Sequence, residues 1–112
     1  KKKYIGGKTK DYDSCVVVAH FKGHGWGGFG GALKQLSIGF GSRVSKTIQH
    51  SAGANADPAK VFDHFCSDID FKECMADCAS SFVNKYKGKL CYINVMKNIS
   101  CDCVCDGNAR PP

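Results

Sequence analysis

From Asp70 to Lys87 the apolar positions recur every third or fourth residue. Phe71, Cys74, Met75, Cys78, Ala79, Phe82, Val83 and Tyr86 form one continuous stripe, the spacing of a helix that buries a single face. Asp70 stands where a cap belongs, Glu73 completes a capping-box-like pair, and Lys85, Lys87 and Gly88 mark the end. Two other runs lack that period. Ser14–Phe21, "SCVVVAHF", and Leu90–Met96, "LCYINVM", are short, apolar and rich in β-branched residues, as strands buried on both faces are.

Between these runs the pattern is weaker. Gly23–Gly31 has six Gly in nine positions, too many for a regular element. Ala32–Ile38, "ALKQLSI", starts a short helix that Gly39 ends, and Phe40–Asp57 reads as mostly irregular. Pro58 opens a further helix, "PAKVFDHFC", with Asp57 at the cap. Strand, helical crossover and strand make an α/β fold: a partial parallel or mixed sheet with flanking helices and a Gly-rich loop after the first strand. Parallel strands send their carboxyl ends to one edge. That edge would gather "HFKGHGWGGFGG" and "NISCDCVCDG", on the rim where open α/β folds bind ligands.

Length and composition bound this picture. With 112 residues, 43% of them hydrophobic, the chain is one domain or part of one and can bury a core. It starts without Met and stops just after the Cys-rich segment, so it reads as a single partial domain, an excerpt of a longer protein. Residues 1–11 form a basic lead-in with no apolar stretch behind it. No run approaches the roughly 20 apolar residues of a membrane span.

The net charge is +6, and its placement matters more than its size. Between Ser14 and Ala56 there is no carboxylate, while Lys22, Lys34, Arg43 and Lys46 supply cations beside His20, His24 and His50. This half tolerates an anion. The cations stand singly and no nucleic-acid reader motif accompanies them, which argues against a nucleic-acid partner.

The Gly-rich stretch contains G-x-G-x-x-G as Gly23, Gly25 and Gly28. A dinucleotide site also needs an acid about twenty residues on, and the acid-free window denies it. What remains is a general small-anion site. Backbone at Gly23, Gly28, Gly30 and Gly31 can approach a ligand closely, the next helix would aim its N-terminus at it, and Lys22 and Lys34 would hold its charge. His20, His24 and Lys34 are the candidate catalytic groups, the imidazoles being able to move a proton, hold a metal or bond an oxygen. The bland alternative is a loop packed against Trp26 and Phe29, with both imidazoles satisfied by carbonyls.

Of the eight cysteines, Cys74 and Cys78 lie on the helical stripe and Cys15 and Cys91 inside strands, where a thiol serves as a small apolar group. Cys66 ends the Pro58 helix in the same role. Cys101, Cys103 and Cys105 lie instead in the polar "CDCVCDG". They are candidate ligands for zinc or an iron-sulfur cluster, with Cys103 and Cys105 alternatively a redox-active thiol pair, or all of them structural or incidental thiols. No Cys-x2-Cys pair occurs in the chain.

The residues of "HFKGHGWGGFGGALKQLSIG" and "YINVMKNISCDCVCDG", in that order, resemble the domain-of-unknown-function 362 family, described as iron-sulfur-centre proteins. The likeness runs from about Tyr12 to the end. It implies an intracellular, cytoplasmic microbial protein with reduced cysteines, a parent domain continuing past Pro112, and a cluster. The chain departs from the family in two places. The ferredoxin-like Cys-x2-Cys-x2-Cys-x3-Cys segment is absent between Gln49 and Leu90, and Val104 replaces the acid between the paired cysteines. No reaction, and no oligomeric state, comes with the family.

Three functions follow as expectations: metal or iron-sulfur association with a redox role or support of an active site; a metal-free enzyme or binding domain for a small anionic ligand at the Gly-rich loop; and a secreted basic disulfide protein.

Overall fold

The computed structural model describes residues 4–100. A 3-10 turn at Gly7–Asp11 leads into β1 (Cys15–His20), β2 (Lys22–His24) and β3 (Gly28–Gly30). Next come α1 (Ala32–Lys34), which runs on into a π-type turn at Gln35–Gly39, and α2 (Arg43–His50). A second 3-10 turn at Pro58–Lys60, α3 (Asp68–Lys85) and β4 (Leu90–Val95) complete the chain. The fold is α/β. β1 and β4 pair in parallel, from Cys15 opposite Leu90 to His20 opposite Val95, and β2 and β3 pair antiparallel as a separate hairpin.

α3 is the helix that the apolar stripe predicts, displaced by two residues. It is capped by Ser67 rather than Asp70. The Ser67 hydroxyl accepts from the Asp70 amide at 3.1 Å and donates to the Asp70 carboxylate at 2.7 Å, so the cap pair is Ser67 with Asp70, not Asp70 with Glu73. Phe71, Met75, Cys78, Ala79 and Phe82 are buried along one face, with Tyr86 at its end. Val83, at the stripe's margin, is exposed. Val17, Leu36, Ala79, Phe82 and Tyr86 form one core, against which Ile5, Cys15, Ala32, Phe40 and Leu90 pack.

Four expectations need correction. The strands are not buried on both faces: Val17 and Ala19 are buried, whereas Val16 and Val18 are each 59% exposed, and β4 is exposed from Cys91 onward. The cause is that the core forms on the Val17 side alone, and no described element covers the other side. The Gly-rich stretch is not wholly irregular. Its ends pair, Lys22 with Gly30, Gly23 with Phe29 and His24 with Gly28, a hairpin that the low strand propensity of Gly conceals. Gly28 closes the turn at φ +77°, a conformation open to Gly at little cost.

The segment after Phe40 is not irregular either, since it holds α2. Ser42 caps this helix by accepting from the Ser45 amide at 3.2 Å. Its buried residues are Ser45, Thr47 and Gln49, so hydrophobic periodicity has nothing to register. Most of the polar groups there are satisfied inside the protein, the exception being Gln49 Oε1, which is buried with no partner among the described residues. The Thr47 hydroxyl donates to the Arg43 carbonyl, and the Gln49 amide donates to the Ser37 carbonyl and the Ser45 hydroxyl. Finally, the helix expected from Pro58 stops after one turn. Asp57 does cap it, accepting from Ala59 at 3.0 Å. Phe62 beyond is 80% exposed, so a longer helix would gain no burial to offset its ordering cost.

The stripe and its margin make opposite predictions. Phe82→Ala should cost about 3–5 kcal/mol and Val83→Ala under about 1 kcal/mol, read from urea denaturation midpoints. Equal effects would place the buried face elsewhere.

Candidate functional site at the carboxyl ends of the strands

The parallel ladder brings the start of the Gly-rich segment and residues 97–100 to one rim. Past the last strand pair, the Phe21 amide donates to the Val95 carbonyl at 3.0 Å and the Gly23 amide to the Ser100 carbonyl at 2.7 Å. Nε2 of His20 lies 2.7 Å from the Lys97 carbonyl. Ser100 is buried. Residues 97–100 are therefore bonded to the end of β1 and to the hairpin, immediately before Cys101. Cys101, Cys103 and Cys105 themselves lie outside the described residues.

Beside this junction is a cleft of about 360 Å³. His20 enters from the end of β1, Lys22 from β2, Gly30 and Gly31 from the exit of the hairpin, and Lys34 from α1. Val18, Gln35 and Ile38 complete much of the wall. A carbonyl only accepts, so His20 donates to Lys97 through Nε2–H. The Nδ1 lone pair remains, and the neutral ring can take a proton or a hydrogen bond there.

Behind Gly31 stands a residue that nothing local in the sequence singles out as a helix cap. The Asn94 side-chain oxygen, reaching from β4, accepts from the Ala32 amide at 3.1 Å. It caps the start of α1, so the amide expected to face an anion is already bonded to protein. Gly31 is what lets Asn94 come so close, because a Cβ there would sit 3.2 Å from Asn94 Oδ1. An amide side chain inside the apolar run "LCYINVM" was the available signal.

Gly23, His24 and Gly28 do not line the cleft. Gly23 is engaged by Ser100, and Gly28 is the exposed turn residue. His24 packs against α3, its ring stacked on Phe71 with centroids 6.2 Å apart, and its Nδ1 accepts from the Gly27 amide at 2.9 Å. Burial, helped by the nearby Lys34 and Lys22, lowers its pKa to about 4. It is neutral at physiological pH. Trp26 at the hairpin tip meets Phe65 edge-on at 4.5 Å and lies 6.0 Å from Phe71. The tip thus has the packing role of the bland alternative, while the base of the same hairpin faces the cleft.

No described group of three or more His, Cys, Asp or Glu is arranged to hold a metal ion. His20 and His24 therefore do not share such a site within residues 4–100. Cys15, Cys66 and Cys91 are free thiols. Burial, and then the neighbouring Cys74, pushes the Cys66 thiol up, which keeps it protonated and a poor nucleophile. A second cleft, of about 310 Å³, is lined by Asp70, Glu73, Cys74, Asp77 and Ala52, so its charge is opposite to that of the first. No described helix is long and apolar enough to cross a membrane.

No curated protein matches the chain, and no solved structure does. A family model described as "Domain of unknown function (DUF362)" matches residues 1–112. The match spans both rim segments and everything between them, and the chain belongs to the DUF362 family.

Proposed function

We propose that the protein binds a small anionic ligand, a carboxylate or phosphate, in the cleft between the end of β1, the base of the hairpin and α1. One observation carries the reading: His20, Lys22 and Lys34, from three different elements, line a single cleft of about 360 Å³. Their convergence is what an anion needs. Two ammonium groups can act as point charges on an oxyanion. His20 would serve as the acid-base group, or as the acceptor for a ligand hydroxyl, through Nδ1. Gly30 and Gly31 leave the floor bare of side chains.

A second reading has its own support. The bond from the Gly23 amide to the Ser100 carbonyl anchors the residue before Cys101 beside this cleft. In this reading Cys101, Cys103 and Cys105 hold zinc or an iron-sulfur cluster, which would supply redox or Lewis-acid chemistry. The free thiols Cys15, Cys66 and Cys91 fit a reducing compartment such as the cytoplasm and fit poorly with a secreted disulfide framework.

Titration with inorganic phosphate and with malonate, followed by calorimetry at low salt, tests the first reading. Lys34→Gln should weaken whichever anion binds by about tenfold or more, and Gly31→Ala should weaken it by crowding Asn94. Cys103→Ser and Lys60→Gln should leave it unchanged. Affinity insensitive to Lys34 would remove the cleft from consideration. For the second reading, protein purified anaerobically should carry iron or zinc by elemental analysis, and Cys103→Ser should lose it. A sample that is metal-free and cannot be reconstituted ends that reading.

A further inference from the structure

The hairpin has two ends with different work. Its base carries Lys22 and Gly30 into the cleft. Its tip is seated about one hairpin length away, where His24, Trp26, His50, Phe65 and Phe71 meet. His24 makes a bond there that requires one protonation state. Nδ1 accepts from the Gly27 amide at 2.9 Å, so the proton of the neutral ring is on Nε2. A second proton would convert the acceptor into a donor pointed at another donor. It would also put a cation among groups of its own sign: Lys22 on β2, Lys34 on α1 and His50 on α2. From α3 the contact is the apolar ring of Phe71. Among the described residues, no carboxylate contributes to the field on His24.

We propose that His24 is an acid-sensitive latch: neutral, it pins the hairpin tip into its aromatic seat, and protonated, it releases the tip while the core stays folded.

The direction follows from linkage. In the seated state the His24 pKa is depressed from 6.5 to about 4, so between those values a released tip binds a proton that a seated tip does not. Seating is fully favoured above 6.5 and is lost as pH falls toward about 4. Local release without unfolding is reasonable because the core of Val17, Leu36, Ala79, Phe82 and Tyr86 contains no hairpin residue. Since Lys22 and Gly30 would move with the hairpin, acid should also disorganise the cleft. That consequence rests on the ligand reading above, whereas the latch itself does not.

Trp26 is the protein's one tryptophan, so its fluorescence reports the tip alone and needs no ligand. Between about pH 7.5 and about pH 4.5 its emission should shift to the red and it should lose protection from acrylamide, with far-UV circular dichroism unchanged. His24→Gln, whose amide oxygen can still accept from Gly27, should abolish the transition, and His50→Gln should keep it. A flat Trp26 signal overturns the latch. So does a transition that survives His24→Gln, one that vanishes in His50→Gln, or one that accompanies loss of helical dichroism. If His24→Gln does not fold, imidazole proton resonances of the unaltered chain decide the matter. The latch stands only if His24 titrates at the Trp26 midpoint, and it falls if another histidine does.

Discussion

The parallel ladder between Cys15–His20 and Leu90–Val95 is the constraint on which the rest depends. Two parallel strands cannot be joined by a tight turn, so a long connection must leave one end of the sheet and return to the other. Here that connection contains the hairpin, α1, α2 and α3. The carboxyl ends of both strands then necessarily share an edge. Each later feature of the site uses that edge: His20 bonds the Lys97 carbonyl, Gly23 bonds Ser100, and Asn94 caps α1.

The ladder is held from one side. Val17 of β1 packs with Leu36, Ala79, Phe82 and Tyr86, which fixes α3 and the turn after α1 beneath the sheet. The opposite face keeps Val16, Val18, Ile93 and Val95 largely exposed. This asymmetry leaves the loops at the rim as the place where chemistry-bearing groups collect. Charge divides in the same way. The cationic cleft draws on the acid-free half of the chain, whereas Asp70, Glu73 and Asp77 of α3 line a separate acidic groove. An anion therefore meets opposite potentials at the two clefts, and the hairpin, joined to the sheet at its base and to the aromatic seat at its tip, lies on the cationic side.

α3, the two strands and their parallel arrangement were legible in the sequence, because each rests on a local signal. A 3.6-residue stripe, a β-branched run and the length of the crossover are visible without knowing any partner. The lining of the candidate cleft was legible in part. Lys22, Lys34 and His20 stand in an acid-free window, and Gly30 and Gly31 belong to a glycine-dense stretch, so chemical type and local composition pointed to them. His24 carried the same signal and yet faces another way, since strand pleating and the position of α3, not residue type, decide which end of a hairpin a ring belongs to.

What the sequence by itself determined is the family, the α/β class, the helix with the apolar stripe and the sign of charge available to a ligand, all of them properties of neighbouring residues or of bulk composition. Only the tertiary structure decided that α2 buries Ser45, Thr47 and Gln49, that Asn94 caps Ala32 from another strand, and that Trp26 sits against Phe65 and Phe71. The physical reason is the same in each case. A polar helix face, a side-chain cap and an aromatic seat are stable only when a distant partner satisfies them, and nothing local in the chain records where that partner will be.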